Sequence, residues 1–137
     1  MRVIPYSPLP DITSRIVLAP LLPVTFLYEK EEFSTFALVD SGAAGAIMST
    51  VIAEELGIDW KKNKMHAGFS VGGTFRSYLI EKVGIEVFDH SFFSKVSVVE
   101  GIGPYKCILG QADIFQRAKI TFESYEKKFS VEFRRYN

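Results

Sequence analysis

The chain has 137 residues, 47% apolar and 23% charged, with Lys plus Arg equal to Asp plus Glu at 16 each. That length gives one domain, residues 1–137, able to bury about two thirds of its unfolded surface, and the balanced charge excludes a field that would draw nucleic acid or acidic lipid. A lone cysteine, Cys107, rules out an internal disulfide. Pro5, Pro8, Pro10 and Asp11 do not read as a signal peptide, and no apolar run approaches the ~20 residues of a membrane helix, so a cytoplasmic chain with no membrane partner is expected.

In chain order, residues 1–15 are proline-rich and are expected to form an irregular extension. Residues 16–28 read as extended chain, but Pro20 and Pro23 exclude a fully bonded central strand. A charged turn over Glu29–Glu32 then leads into a second strand, Phe33–Val39. That strand ends in Phe36-Ala37-Leu38-Val39-Asp40-Ser41-Gly42-Ala43, where an apolar run closes abruptly on an acid, a hydroxyl and a glycine. The pattern predicts a buried strand closing on a tight turn, with the glycine free to take positive φ. A carboxylate at such a place costs several kcal/mol unless it is hydrogen-bonded or shares its charge. Asp-Ser-Gly by itself is also ordinary turn chemistry.

Ser49–Gly57 has a Ser/Thr start, apolar residues at 51, 52 and 56 and a closing glycine, which predicts a short capped helix. Residues 65–80 predict a hairpin around Phe69-Ser70-Val71-Gly72-Gly73, whose tip is free of bulky side chains. No Gly-Lys-Ser/Thr follows, so it is not a phosphate loop. Val83, Ile85 and Val87, then Val96 and Val98, then Ala118, Ile120 and Phe122, then Phe129, Val131 and Phe133 alternate with polar residues. They predict strands with one buried face, the last two joined by a turn at Ser124–Lys127. Between them, Lys106-Cys107-Ile108-Leu109-Gly110 predicts a short buried strand that turns at the glycine, before a brief helical segment over 111–115.

The joint pattern resembles the retropepsin-like aspartic proteases, the retroviral enzymes and their single-domain bacterial relatives. Leu38–Ala43, a glycine-tipped hairpin and Ile108-Leu109-Gly110 occur in that family's order and spacing, and the likeness runs over residues 17–133. It implies a mainly β fold, a closed acid-protease half-barrel with a flap hairpin over 65–80 and one or two short helices. It also implies an aspartic endopeptidase. Asp40 would be the catalytic residue, supported by Ser41, Gly42 and Ala43. Ala44, Phe69, Ser70, Val71, Gly72 and Gly73 would bind the peptide, and Ile108, Leu109 and Gly110 would pack beside the site. Such chemistry needs two carboxylates sharing a proton. Of the aspartates Asp11, Asp40, Asp59, Asp89 and Asp113, only Asp40 stands in Asp-Ser/Thr-Gly. The second carboxylate must then come from Asp40 of a second copy, which makes the expected partner a homodimer mate and the substrate a peptide.

No cofactor and no metal are expected, because His66 and His90 are not spaced as ligands with Cys107. One departure from the retroviral pattern is Gln111, where those enzymes carry an arginine that supports the dimer. The alternative reading is a dimerisation or peptide-binding module on the same fold that cleaves weakly or not at all.

Overall fold

The computed structural model describes residues 1–10, 16–70 and 73–135. In chain order the strands are β1 (Arg2–Pro5), β2 (Ser7–Pro10), β3 (Ile16–Ala19), β4 (Leu21–Tyr28), β5 (Glu31–Val39) and β6 (Ala46–Ser49). After helix α1 (Thr50–Glu55) come β7 (Met65–Ser70), β8 (Gly73–Val87), β9 (His90–Val99), β10 (Cys107–Leu109), β11 (Ala118–Glu123) and β12 (Lys128–Phe133). Single 3-10 turns stand at Trp60–Lys62, Ile114–Gln116 and Ser124–Glu126. No helix among the described residues is long and apolar enough to cross a membrane.

The main sheet runs β4-β5-β10-β6-β9-β8-β7, and β8 also pairs with β4 through Thr25–Glu86, Phe26–Ile85 and Leu27–Gly84. That last pairing closes six strands into a barrel and leaves β7 outside it. The alternation seen in the sequence now has its cause: Phe26, Val83, Ile85, Val96 and Val98 turn into the closed core, and Glu86 and Lys95 face out. A break in register between Ile80 and Val83 lets one long strand serve two purposes. Its second half joins the barrel, and its first half leaves it as a hairpin with β7. The helix is closed as the sequence predicts. The Ser49 hydroxyl accepts from the Ile52 N–H at 3.3 Å, and Gly57 follows with φ +72°.

A second sheet, β1-β12-β11, sets Phe129, Val131 and Ala118 into the same core. The irregular extension expected over 1–15 is therefore corrected: Arg2–Pro5 pairs with β12, and Ser7–Pro10 pairs with β3. The prolines misled because β1 is an edge. Tyr6 N–H donates to Lys127 O at 2.8 Å, so the ladder alternation bonds Ile4 and Arg2 inward. Pro5, lacking an N–H, then faces away from β12, where nothing is lost. Residues 11–15 lie outside the described residues. The charged turn is also tighter than expected. Leu27 pairs with Glu32 and Tyr28 with Glu31, leaving only Glu29 and Lys30 as the loop, with Glu29 at φ 53°.

Candidate active site

The three-residue strand β10 is inserted between β5 and β6, parallel to the first and antiparallel to the second. Since β5 and β6 are consecutive in the chain, their connection, residues 40–45, has to pass over the end of β10. That crossing places Asp40 against Leu109-Gly110. Asp40 N–H donates to Leu109 O at 3.0 Å, extending the ladder by one bond. Gln111 N–H and Ala112 N–H then donate to Ala43 O and Ala44 O, each at 2.9 Å. The Gln111 side chain adds a bond from Nε2 to Ser41 O at 2.7 Å. A loop bonded at so many points is held as firmly as the strands beside it.

Within the loop, Gly42 N–H donates to Asp40 Oδ1 at 2.8 Å, and Ala43 N–H donates to Asp40 O at 3.1 Å. Asp40 is half-buried, and among the described residues its second carboxylate oxygen bonds to nothing in its own chain. The same is true of the exposed Ser41 hydroxyl. Gly42 corrects one expectation, since it is not among the glycines with positive φ. What requires glycine there is closeness, because a Cβ would stand 3.2 Å from Asp40 Oδ1, inside normal contact.

Gly110 is held to its identity more strongly. A Cβ on it would stand 2.5 Å from Ala43 O and 3.0 Å from both Ala43 C and Ala43 Cβ. Ile108 pairs with Leu38 and Ile47, and Leu109 with Val39, which sets Ile108, Leu109 and Gly110 beside the Asp40 loop. Cys107 is buried, its Sγ donating to Phe36 O at 3.4 Å, and burial pushes its thiol up to about 12. It remains a protonated thiol packed in the core.

Sequence reasoning missed Asp113. It is fully buried, and its carboxylate accepts from Gly110 N–H (3.0 Å to Oδ1, 3.2 Å to Oδ2) and from Ile114 N–H (2.7 Å). It thus caps the 3-10 turn and fixes the glycine beneath the Asp40 loop. The signal was an acid directly before the apolar pair Ile114-Phe115, an N-cap position. Burial raises its carboxyl to about 6, outweighing the two N–H donors and the Arg117 charge, which favour the ionised form. The raised value makes Asp113 a stabilising group in acid. Its contribution is complete below the ordinary carboxyl value of 3.8 and is lost as pH rises through about 6. A shift of that size amounts to about 3 kcal/mol. Asp113→Asn keeps an oxygen for both N–H donors and removes the proton. In melting scans, the Tm of wild type relative to this variant is expected to fall by roughly 5–10 °C between about pH 4 and 7.5. A constant difference across that range would mean that Asp113 does not titrate in the folded chain.

The hairpin β7–β8 pairs Phe69 with Thr74 and Ser70 with Gly73, and Gly73 has φ +120°. Val71 and Gly72, predicted at its tip, lie outside the described residues, as do the side chains of Phe69 and Ser70. Between hairpin and loop lies a cavity of about 280 Å³, with Ala43, Ala44 and Ile47 on one wall and Gly68, Phe75 and Val99 on the other. Ala44 also faces a neighbouring depression of about 440 Å³ with Leu79, Phe93 and Lys95. A larger cleft of about 630 Å³, around His90, Phe133 and Arg134, touches no residue of the Asp40 loop. The smaller cavities are the ones that take lining residues from the Asp40 loop, Ala43, Ala44 and Gly45.

No family model and no curated protein matches the sequence. Solved structures do match it. A retropepsin-like aspartic protease from Rickettsia conorii superposes with a TM-score of 0.63 at 15% identity, over 94% of this chain and 98% of that one. EIAV protease, solved in complex with the inhibitor HBY-793, gives a TM-score of 0.53 at 21% identity over 72% and 86%. The fold is retropepsin-like, mainly β with one short helix.

Proposed function

We propose that this chain is an aspartic endopeptidase whose active site is completed by Asp40 of a second copy, with no metal and no covalent intermediate. The observation that carries the reading is the state of Asp40. Its backbone is fixed to Leu109, one carboxylate oxygen is held by Gly42 N–H, and among the described residues the other oxygen has no bond within the chain, in a segment whose next residues, Ala43 to Ile47, line a cavity. A turn that needed only its geometry would gain nothing from holding a half-buried carboxylate in this way.

In the two-copy site, two Asp40 carboxyls brought together share one proton, because like charges at that separation cannot both ionise. The ionised one activates a water held between them. The protonated one donates to the scissile carbonyl oxygen as negative charge develops there, and a proton then passes to the leaving nitrogen. Ser41, whose hydroxyl has no partner among the described residues of its own chain, bonds across the interface, and the β7–β8 hairpin acts as a flap over the peptide. The substrate lies extended, adding as a strand and exchanging backbone hydrogen bonds with the flap. The apolar walls at Ala43, Ile47, Phe75 and Val99 favour an apolar side chain beside the cut.

The test is cleavage of a mixed peptide library between about pH 3.5 and 7, run over a range of protein concentrations. Cuts between apolar residues, stronger in acid and stopped by statine-type transition-state mimics, are expected. At low concentration the rate should rise faster than linearly with protein, as a site shared by two chains requires. A dimeric protein that cleaves nothing under these conditions would instead be a peptide-binding module.

A further inference from the structure

Strand β9 turns one row of side chains, Phe93, Lys95, Ser97 and Val99, away from the core face on which Val96 and Val98 are buried. The two cavities beside the Asp40 loop lie end to end along that row. The one between hairpin and loop takes Ser97 and Val99, and the neighbouring depression takes Phe93, Lys95 and Ser97. They share Ala44, Gly45, Ala46 and Ser97 as walls, so they are one groove. From Val99 to Phe93 the groove follows β9 for about 20 Å, at ~3.3 Å per residue. The hairpin pairing stops at Met65–Tyr78, and the Phe93 end lies beyond it.

That far end has a chemistry of its own. Ile80 pairs with Val96 and Val83 with Ser94, so Glu81 and Lys82 together oppose the single residue Lys95. This is the break that lets β8 leave the barrel, and it leaves both extra side chains exposed. Lys82 Nζ stands 4.3 Å from the centre of the Phe93 ring, and Lys95 Nζ stands 3.7 Å from Glu81 Oε2. Phe93 itself is 62% exposed, although its neighbour Phe92 packs against the core. Two ammonium groups against one carboxylate make this end positive in a chain whose formal charge is zero. An ion pair as exposed as Lys95–Glu81 holds its partners weakly, so a carboxylate from outside can join or replace Glu81. Across the groove the wall is made of small residues, and a Cβ on Gly45 would meet only Ala112 Cβ among the described residues, at 3.7 Å.

We propose that the Phe93 end is a second recognition site for the substrate peptide, taking a large apolar side chain against Phe93 and Leu79 and an acidic one at Lys95 and Lys82. Its occupant is the outlying part of the extended chain whose middle lies under the hairpin. Two observations select that occupant: the unbroken walls shared with the Asp40 cavity, and the charge at the far end. Lys95 and Phe93 stand four and six residues along β9 from Val99, so the segment recognised lies about four to six residues from the side chain under the hairpin. The inference rests on the endopeptidase reading and adds which longer peptides that site prefers. Contacts so far from the reacting atoms act by binding remote parts of the substrate.

Matched peptides test it on the full chain. The probes are a short peptide with apolar residues at its centre, and longer versions extended on one side or the other by a Gly-Ser spacer ending in Phe-Glu-Glu, Phe-Lys-Lys or Ser-Gly-Ser. On at least one side, Phe-Glu-Glu is expected to raise kcat/KM about fivefold over Ser-Gly-Ser, and Phe-Lys-Lys to forfeit that gain. The gain should shrink as salt is raised. Lys95→Glu should reverse the order of the acidic and basic extensions, and Phe93→Ala should remove most of the gain. The same peptides, labelled and titrated into Asp40→Asn by fluorescence anisotropy, should show the same order in Kd, a readout that needs no catalysis. Extensions cut and bound alike on both sides would overturn the inference and spare the protease reading, as would a preference that neither substitution moves. An order in Kd that follows Lys95, in a protein that cleaves nothing, would do the reverse. Neither binding nor cleavage of any probe would sink both.

Discussion

Asp40→Asn is expected to lower peptide cleavage by at least about a thousandfold and to leave the fold intact, since general acid–base groups contribute on the order of 10²–10⁴ each and in the proposed two-copy site this one acts from both halves. Asparagine keeps the oxygen that accepts the Gly42 N–H, so the loop retains its internal bond. What is lost is the ability to hold or release a proton. Mixing separates a shared site from a self-sufficient one. After subunit exchange at equal amounts, only about one dimer in four keeps two aspartates, so adding one equivalent of the variant halves the activity of the wild type already present. A chain that catalysed alone would be unaffected. Cleavage persisting in the purified variant would place the chemistry elsewhere.

Gly110→Ala is expected to cost about 1–3 kcal/mol of stability, the usual range for an extra methyl forced into a packed interior, and to lower cleavage by at least tenfold in the protein that still folds. The methyl would meet Ala43 O at 2.5 Å, a backbone atom that cannot swing aside as a side-chain tip would. The carbonyl it displaces accepts from Gln111 N–H, so the loop cannot move without releasing that bond. Asp113 holds Gly110 from the other side through its N–H, which closes the opposite route of escape. Urea unfolding and peptide assays on the same preparation check both parts. A variant as stable and as active as wild type would mean that the loop is more yielding than its bonding implies.

Much of this arrangement was legible because it is written in local chemistry. Asp40-Ser41-Gly42 ends an apolar strand, Ile108-Leu109-Gly110 ends another, and Ser49 and Gly57 mark the limits of a helix. The alternating strands could be read from single side chains, because each has one face in the closed barrel. What stayed hidden depends on partners distant in sequence. β1 is a strand only because β12, some 125 residues later, receives it. Asp113 reads as a helix cap, and its full burial follows from the loop folded over it. Gln111 replaces a charged residue of the retroviral pattern, and only the crossing of the chain brings its amide to Ser41 O. The use of Gly42 was misread for a related reason, since closeness to a carboxylate is a property of the folded turn.

The insertion of β10 between β5 and β6 also bears on how the protein matures. Asp40 leaves the ribosome long before Leu109, Gly110 and Asp113, which hold its loop in place. Until those residues arrive, β5 and β6 have an open slot between them, and closing a loop of about seventy residues is among the slower events available to a chain of this size. A nascent or truncated chain therefore carries the aspartate without the geometry, and the bonded Asp40 loop is among the last features that synthesis can complete.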